Sequence, residues 1–103
     1  MVQRPRGTRD FTPDVMNRRL AFEKLLESKA ICHGFKRIQT PIFESLDLFT
    51  AKSGPGVIKQ LYAFQDKSER ALTLRPELTA PVMRMISEEM RSSPKPLRLS
   101  YFG

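Results

Sequence analysis

A single cysteine in 103 residues rules out an internal disulfide, which fits a reducing cytoplasm. Cys32 and His33 are neighbours, but two adjacent residues make no metal site without other ligands. No apolar run approaches the length of a membrane span, and the N-terminus lacks the apolar stretch of a secretion signal. There is no block of five like charges, no internal repeat and no low-complexity segment. A nucleophile–base pair, a Walker A loop, a metal-ligand cluster and a dinucleotide fingerprint are all missing. These absences argue against a secreted disulfide scaffold, a membrane span and covalent catalysis by an activated side chain.

What remains is an ordinary globular composition, 40% apolar and 28% charged, long enough for one domain with a small core. The net charge is +7. It divides evenly, +4 over residues 1–52 and +3 over residues 53–103, with no basic tail. A diffuse positive surface attracts polyanions in general and identifies none.

Residues 1–12 read as a polar, Arg-rich arm, with Arg4, Arg6 and Arg9 solvated. Thr12-Pro13-Asp14 predicts a helix start: a hydroxyl cap, a first-turn proline and an acid at the positive dipole end. Val15, Phe22, Leu25, Leu26 and Ala30 then form an apolar stripe, and Gly34 ends the helix with Phe35 packing back. His33 is placed to answer the dipole at the helix C-terminus. A strand is expected from Arg37 to Phe43, at an edge or paired on one side only because Pro41 lacks a donor. A short helix over Leu46–Thr50 and a loop at Ser53-Gly54-Pro55-Gly56 come next. Leu61–Asp66 and Ala71–Arg75 form a hairpin tipped by residues 67–70. A helix over Thr79–Arg91 follows, its methionines filling core, and then a strand at residues 97–103 that ends as if truncated.

The stretch Leu74-Arg75-Pro76-Glu77-Leu78-Thr79-Ala80-Pro81 carries the most chemistry. Leu72 and Leu74 alternate with Thr73 as in a strand with one buried face, and Pro76 ends it. Pro81 suits the first turn of a helix. Glu77 and Thr79 are left in the junction, a carboxylate fit for an ammonium group beside a hydroxyl that both donates and accepts. Without its neighbours Glu77 would read as a solvated acid at a helix N-terminus, and Thr79 as an N-cap. Arg75 pairs with Glu77, braces the loop or is simply exposed.

This segment resembles the histidine-binding segment of the histidyl-tRNA synthetases, and three further pieces occur in that family's order. Arg6-Gly7-Thr8-Arg9-Asp10 resembles its opening. Gly34-Phe35 with Ile38-Gln39-Thr40-Pro41-Ile42-Phe43-Glu44 resembles motif 1 of class II synthetases. Tyr62-Ala63-Phe64-Gln65-Asp66, leading into Leu72–Glu77, resembles the hairpin that delivers the amino-acid-binding loop.

The resemblance implies an α+β fold with a mainly antiparallel sheet and flanking helices, part of a class II catalytic core. Its parts would be the arm 1–12, the motif 1 helix and strand 13–44, the histidine-binding hairpin and helix 61–91, and the strand 97–103. It implies a ligase that activates histidine with ATP and Mg²⁺ and transfers it to the 3′ end of tRNA. Glu77, Leu78 and Thr79 would contact histidine, Glu77 accepting from its α-ammonium. Leu78 stands where many relatives carry glycine, so only its backbone role carries over. Pro41 would lie in a homodimer interface, while Glu44 is as readily structural. The arginines that clamp ATP belong to motifs 2 and 3, which residues 1–103 do not include, so this stretch alone is expected to be inactive. A non-catalytic histidine sensor, such as the regulatory subunit of ATP phosphoribosyltransferase, shares the scaffold and is the alternative.

Overall fold

The computed structural model describes the backbone of residues 1–103 and every side chain except those of Lys52 and Pro55. Backbone contacts divide the chain into two compact units. The first comprises Met1–Arg37 and Arg98–Ser100, the second Ile38–Leu97 and Tyr101–Gly103.

In the first unit, helix α1 runs over Pro13–Cys32 and starts at the proline. Thr12 takes the extended conformation of an N-cap, yet its hydroxyl makes no capping bond; its carbonyl accepts from the Met16 amide at 2.8 Å instead. The Phe11 ring lies under two guanidiniums, Arg19 at 4.4 Å and Arg9 at 5.1 Å from the centroid. At the other end the His33 and Gly34 amides donate to Ala30 and Ile31, and Gly34 sits at φ +82°, where a side chain would strain the backbone. His33 Nδ1 lies 2.9 Å from the Lys29 carbonyl, which only accepts, so this nitrogen carries the proton. No residue of α1 is buried, and Phe22 and Leu25 are 62% and 57% exposed. The apolar stripe is an open face.

The expected strand over Arg37–Phe43 is broken in two. Lys36–Arg37 forms β1, Phe43–Ser45 forms β2, and the residues between them pair with no strand. Pro41 has no ladder donor, so the extended segment cannot hold one continuous pairing. Strand β1 pairs in parallel with β5, Leu99–Ser100, with Lys36 opposite Leu99.

The second unit holds an antiparallel sheet in the order β2-β4-β3, with β3 at Ala63–Gln65 and β4 at Ala71–Leu74. Glu44 and Ala63 face Thr73, while Phe43 pairs with Leu74 and Phe64 with Leu72. Leu72 and Leu74 were expected inside. The reverse holds: Thr73 is fully buried and Leu74 is 43% exposed, in company with the edge-to-face pair Phe43–Phe64. Arg84 of helix α3, Thr79–Glu89, reaches Glu44, so the helix covers the Thr73 face and leaves the leucine face open. Val82 and Pro81 are buried in α3, whereas Met83 is 58% exposed rather than core filler.

At the hairpin tip, Asp66 Oδ1 accepts the amides of Ser68 and Arg70 at 2.9 Å each, and Oδ2 takes Arg70 Nε at 2.6 Å. The Arg70 amide bond leads the interactions that hold the Asp66 carboxyl below its usual pKa. Between β2 and β3, Asp47–Ser53 forms α2, close to the short helix expected over Leu46–Thr50, and Pro55–Gln60 forms a 3₁₀ helix that begins within the expected loop 53–56.

Candidate functional site

The junction between β4 and α3 is built by two prolines. Strand β4 stops at Leu74, and Pro76, with no N–H to donate, turns the chain. Pro81 occupies the first turn of α3, where its missing donor costs nothing. Glu77 is held between them, and its carboxylate folds over the start of the helix. Oε2 accepts from the Thr79 amide, and the Ala80 amide approaches Oε1 at 3.1 Å and Oε2 at 3.2 Å. These are amides that a helix start leaves unpaired, and an anion there is also favoured by the dipole.

Thr79 is thus the first helical residue and not the N-cap; Leu78 holds that position, and Glu77 supplies the side-chain cap. Two amide donors fix the direction of the carboxylate without exhausting it. Oε2 is met by both amides, whereas Oε1 takes only that of Ala80 and keeps room for a further donor, and the group is exposed.

Glu77 and Leu78 line an open cleft of about 350 Å³ together with Arg75, Pro76 and Gly103. Thr79 does not line it; its exposed side chain sits beside the cleft at the helix start. The side chain of Leu78, half-buried, packs on Gly103: a Cβ there would meet Leu78 Cδ1 at 2.9 Å and Arg75 Nη2 at 3.0 Å. Sequence reasoning did not select Gly103, because only the tertiary fold brings it to residues 75–78.

Arg75 forms no ion pair with Glu77 among the described residues. Its Nη1 donates to the carbonyls of Thr40 and Pro41, each at 3.3 Å, so it braces the loop. Pro41 itself is exposed.

A buried ion pair joins β2 to α3, and it gives Glu44 the structural role that the sequence left open. Glu44 is 6% exposed, and its Oε1 accepts from Arg84 Nη2 at 3.0 Å. Arg84 Nε lies 2.8 Å from Oε2 as a charge contact, out of line for a hydrogen bond. The hydrogen bond to Glu44 raises the guanidinium pKa above its usual value. No three His, Cys, Asp or Glu side chains among the described residues converge as a metal ion would require.

Comparison with known proteins places this geometry in a family. The family model described as Histidyl-tRNA synthetase matches residues 7–103. The histidine–tRNA ligase of Methanospirillum hungatei is 54% identical over 103 residues, covering 100% of this chain and 25% of that protein. The apo structure of the S. aureus histidyl-tRNA synthetase superposes with a TM-score of 0.84 at 38% identity, over 98% of this chain and 24% of that one. A Bacillus halodurans structure described as an ATP phosphoribosyltransferase regulatory subunit/histidyl-tRNA synthetase gives 0.81 at 27% identity, over 98% and 26%. The chain therefore spans about a quarter of the length of these relatives.

Proposed function

The chain belongs to the histidyl-tRNA synthetase family, and on that footing we propose that it supplies part of the histidine-binding surface of a histidine–tRNA ligase. The parent reaction activates histidine with ATP and moves it to the 3′ end of tRNA. One observation carries the assignment: a carboxylate, Glu77, is held by two backbone amides at the rim of the cleft lined by Arg75, Leu78 and Gly103. An ammonium entering the cleft finds an oriented acceptor whose position does not depend on side-chain freedom. Thr79 adds a hydroxyl at the same helix start. Leu78 contributes its backbone and closes one wall.

No described residue is assigned to Mg²⁺, and no three His, Cys, Asp or Glu side chains among the described residues converge. No step through the ion or through ATP is assigned to this chain. Its part is binding and orientation, which act alongside electrostatic stabilisation in reactions without a covalent protein intermediate.

The reading extends to assembly. Pro41 is exposed, and α1 offers Phe22, Leu25 and Ile31 to solvent. These surfaces fit a homodimer interface, as the family's motif 1 implies. No described helix is long and apolar enough to cross a membrane, and a cytoplasmic enzyme is the reading.

Calorimetry with histidine tests the site. We expect binding by the chain and its loss in Glu77→Ala; equal binding by both would sink the assignment. The likeness to the Bacillus halodurans protein keeps a histidine sensor as a second reading. Formation of histidyl-adenylate by a protein that carries this chain at its relatives' full length separates the two, because only the ligase makes it.

A further inference from the structure

Arg75 is bonded to three successive carbonyls of one distant segment. Its backbone amide donates to Ile42 at 3.0 Å, and its Nη1 donates to Thr40 and to Pro41 at 3.3 Å each. The same guanidinium lines the cleft, with Nη2 at 3.0 Å from where a Cβ at position 103 would stand. Only Pro76, whose φ is fixed by its ring, separates Arg75 from Glu77.

We propose that Arg75 is the positioning residue of the cleft, holding the Glu77 carboxylate at the helix start by clamping its loop to the carbonyls of residues 40–42. The proposal rests on reading the cleft as the histidine site. Three features support it. Thr40 is buried, and a carbonyl beside a buried residue that loses its donor is costly to leave unmet. A planar guanidinium spans two carbonyls at once, which a single ammonium does less well. Arg75 also makes no ion pair with Glu77 among the described residues, so it orients the carboxylate without neutralising it. A positive neighbour bonded directly to Glu77 would compete with the ammonium of the ligand.

The connection runs through stiff parts. Arg75 fixes the base of the loop, Pro76 limits its first dihedral, and the amides of Thr79 and Ala80 receive the carboxylate at the far side. Without the clamp the loop gains freedom at its base, and the carboxylate spends part of its time away from the helix start.

The test uses Arg75→Met, which removes the guanidinium donors and leaves the backbone bond to Ile42 in place, and Arg75→Lys, which keeps the charge without the fork. Three quantities are read on the 103-residue chain: histidine affinity by calorimetry, hydrogen exchange at the Thr79 and Ala80 amides, and the thermal midpoint. The expected result for Arg75→Met, measured well below its midpoint, is about tenfold weaker histidine binding and faster exchange at both amides. Arg75→Lys should fall between that variant and the unmutated chain. A merely structural arginine would lower the midpoint and leave affinity and exchange in the folded chain untouched.

Unchanged values of both readouts in folded Arg75→Met would overturn the proposal. If that variant does not fold, unchanged values in Arg75→Lys do the same. Should the unmutated chain bind no histidine, the site reading fails, and amide exchange alone decides the positioning role. Faster exchange in the variants then supports the clamp, and unchanged exchange refutes it.

Discussion

Arg84 and Glu44, 40 residues apart in sequence, close on one another, with Nη2 to Oε1 at 3.0 Å and Nε to Oε2 at 2.8 Å. The pair joins α3, which begins at the candidate site, to β2, the edge strand that follows Pro41. Glu44 is nearly excluded from water, whereas Arg84 keeps some solvent contact and a second partner in Glu88 at 3.2 Å. The two ends are therefore not equivalent.

Removing the less buried end should be costly. Arg84→Met leaves a carboxylate buried without its partner, and we expect a loss of about 3 kcal/mol in denaturant unfolding. Replacing both, Glu44→Leu with Arg84→Met, should cost clearly less than the single change, because no buried charge remains. A double variant as unstable as Arg84→Met would show that packing and not charge dominates the contact.

Glu77 serves two roles that substitution can separate. Glu77→Ala removes the cap and should destabilise the chain by about 1 kcal/mol. Glu77→Gln keeps an acceptor for the Thr79 and Ala80 amides but not the charge. It should retain most of the stability while losing affinity for histidine. Thermal melts and calorimetry on the same samples give both quantities; a Gln variant that binds as tightly as Glu77 would remove the ammonium contact from the picture.

The hairpin tip carries a pH dependence whose sign follows from Asp66. Its folded pKa lies below the unfolded value, chiefly through the Arg70 amide bond, with the Arg70 side chain and Ser68 adding to it. The folded state therefore binds the proton less readily. This contribution is fully present above the unfolded pKa and is lost as pH falls through the folded one. Melts recorded from about pH 5 down to about pH 2 should lose stability faster in the unmutated chain than in Asp66→Asn. Parallel curves would show that the turn adds nothing to acid sensitivity.

If α1 is a dimer face, its exposed residues should be dispensable for folding and needed for association. Phe22→Glu and Leu25→Glu place charge on side chains that are 62% and 57% exposed. Monomer stability should change by no more than about 0.5 kcal/mol. Sedimentation should show the unmutated chain associating and the variants monomeric. Association that survives both substitutions would move the interface elsewhere.

Much of the local structure was legible because its causes are local. Pro13 placed the start of α1, Gly34 its end, residues 67–70 the hairpin tip, and Pro76 with Pro81 the strand-to-helix junction. Each is decided by φ restriction, a missing donor or a helix-end preference within a few residues. Glu77 was legible for the same reason: its acceptor role at the helix start involves amides two and three residues away.

Leu72 and Leu74 show where pattern misled. Alternation correctly indicated a strand, but it could not say which face a helix would cover. The Arg84–Glu44 contact put α3 over Thr73. The break in the strand at residues 38–42, the parallel pairing of Lys36 with Leu99, and the approach of Gly103 to Leu78 depend equally on distant partners.

By itself, then, the sequence determined where helices and turns begin and which carboxylate stands at the junction, since those follow from dihedral limits and unpaired groups close along the chain. Only the tertiary structure decided that Arg75 reaches residues 34 and 35 positions away and that Glu44 finds Arg84. Those partners are selected by the register of β2 on β4 and the seating of α3, and neither is encoded in any short window of residues.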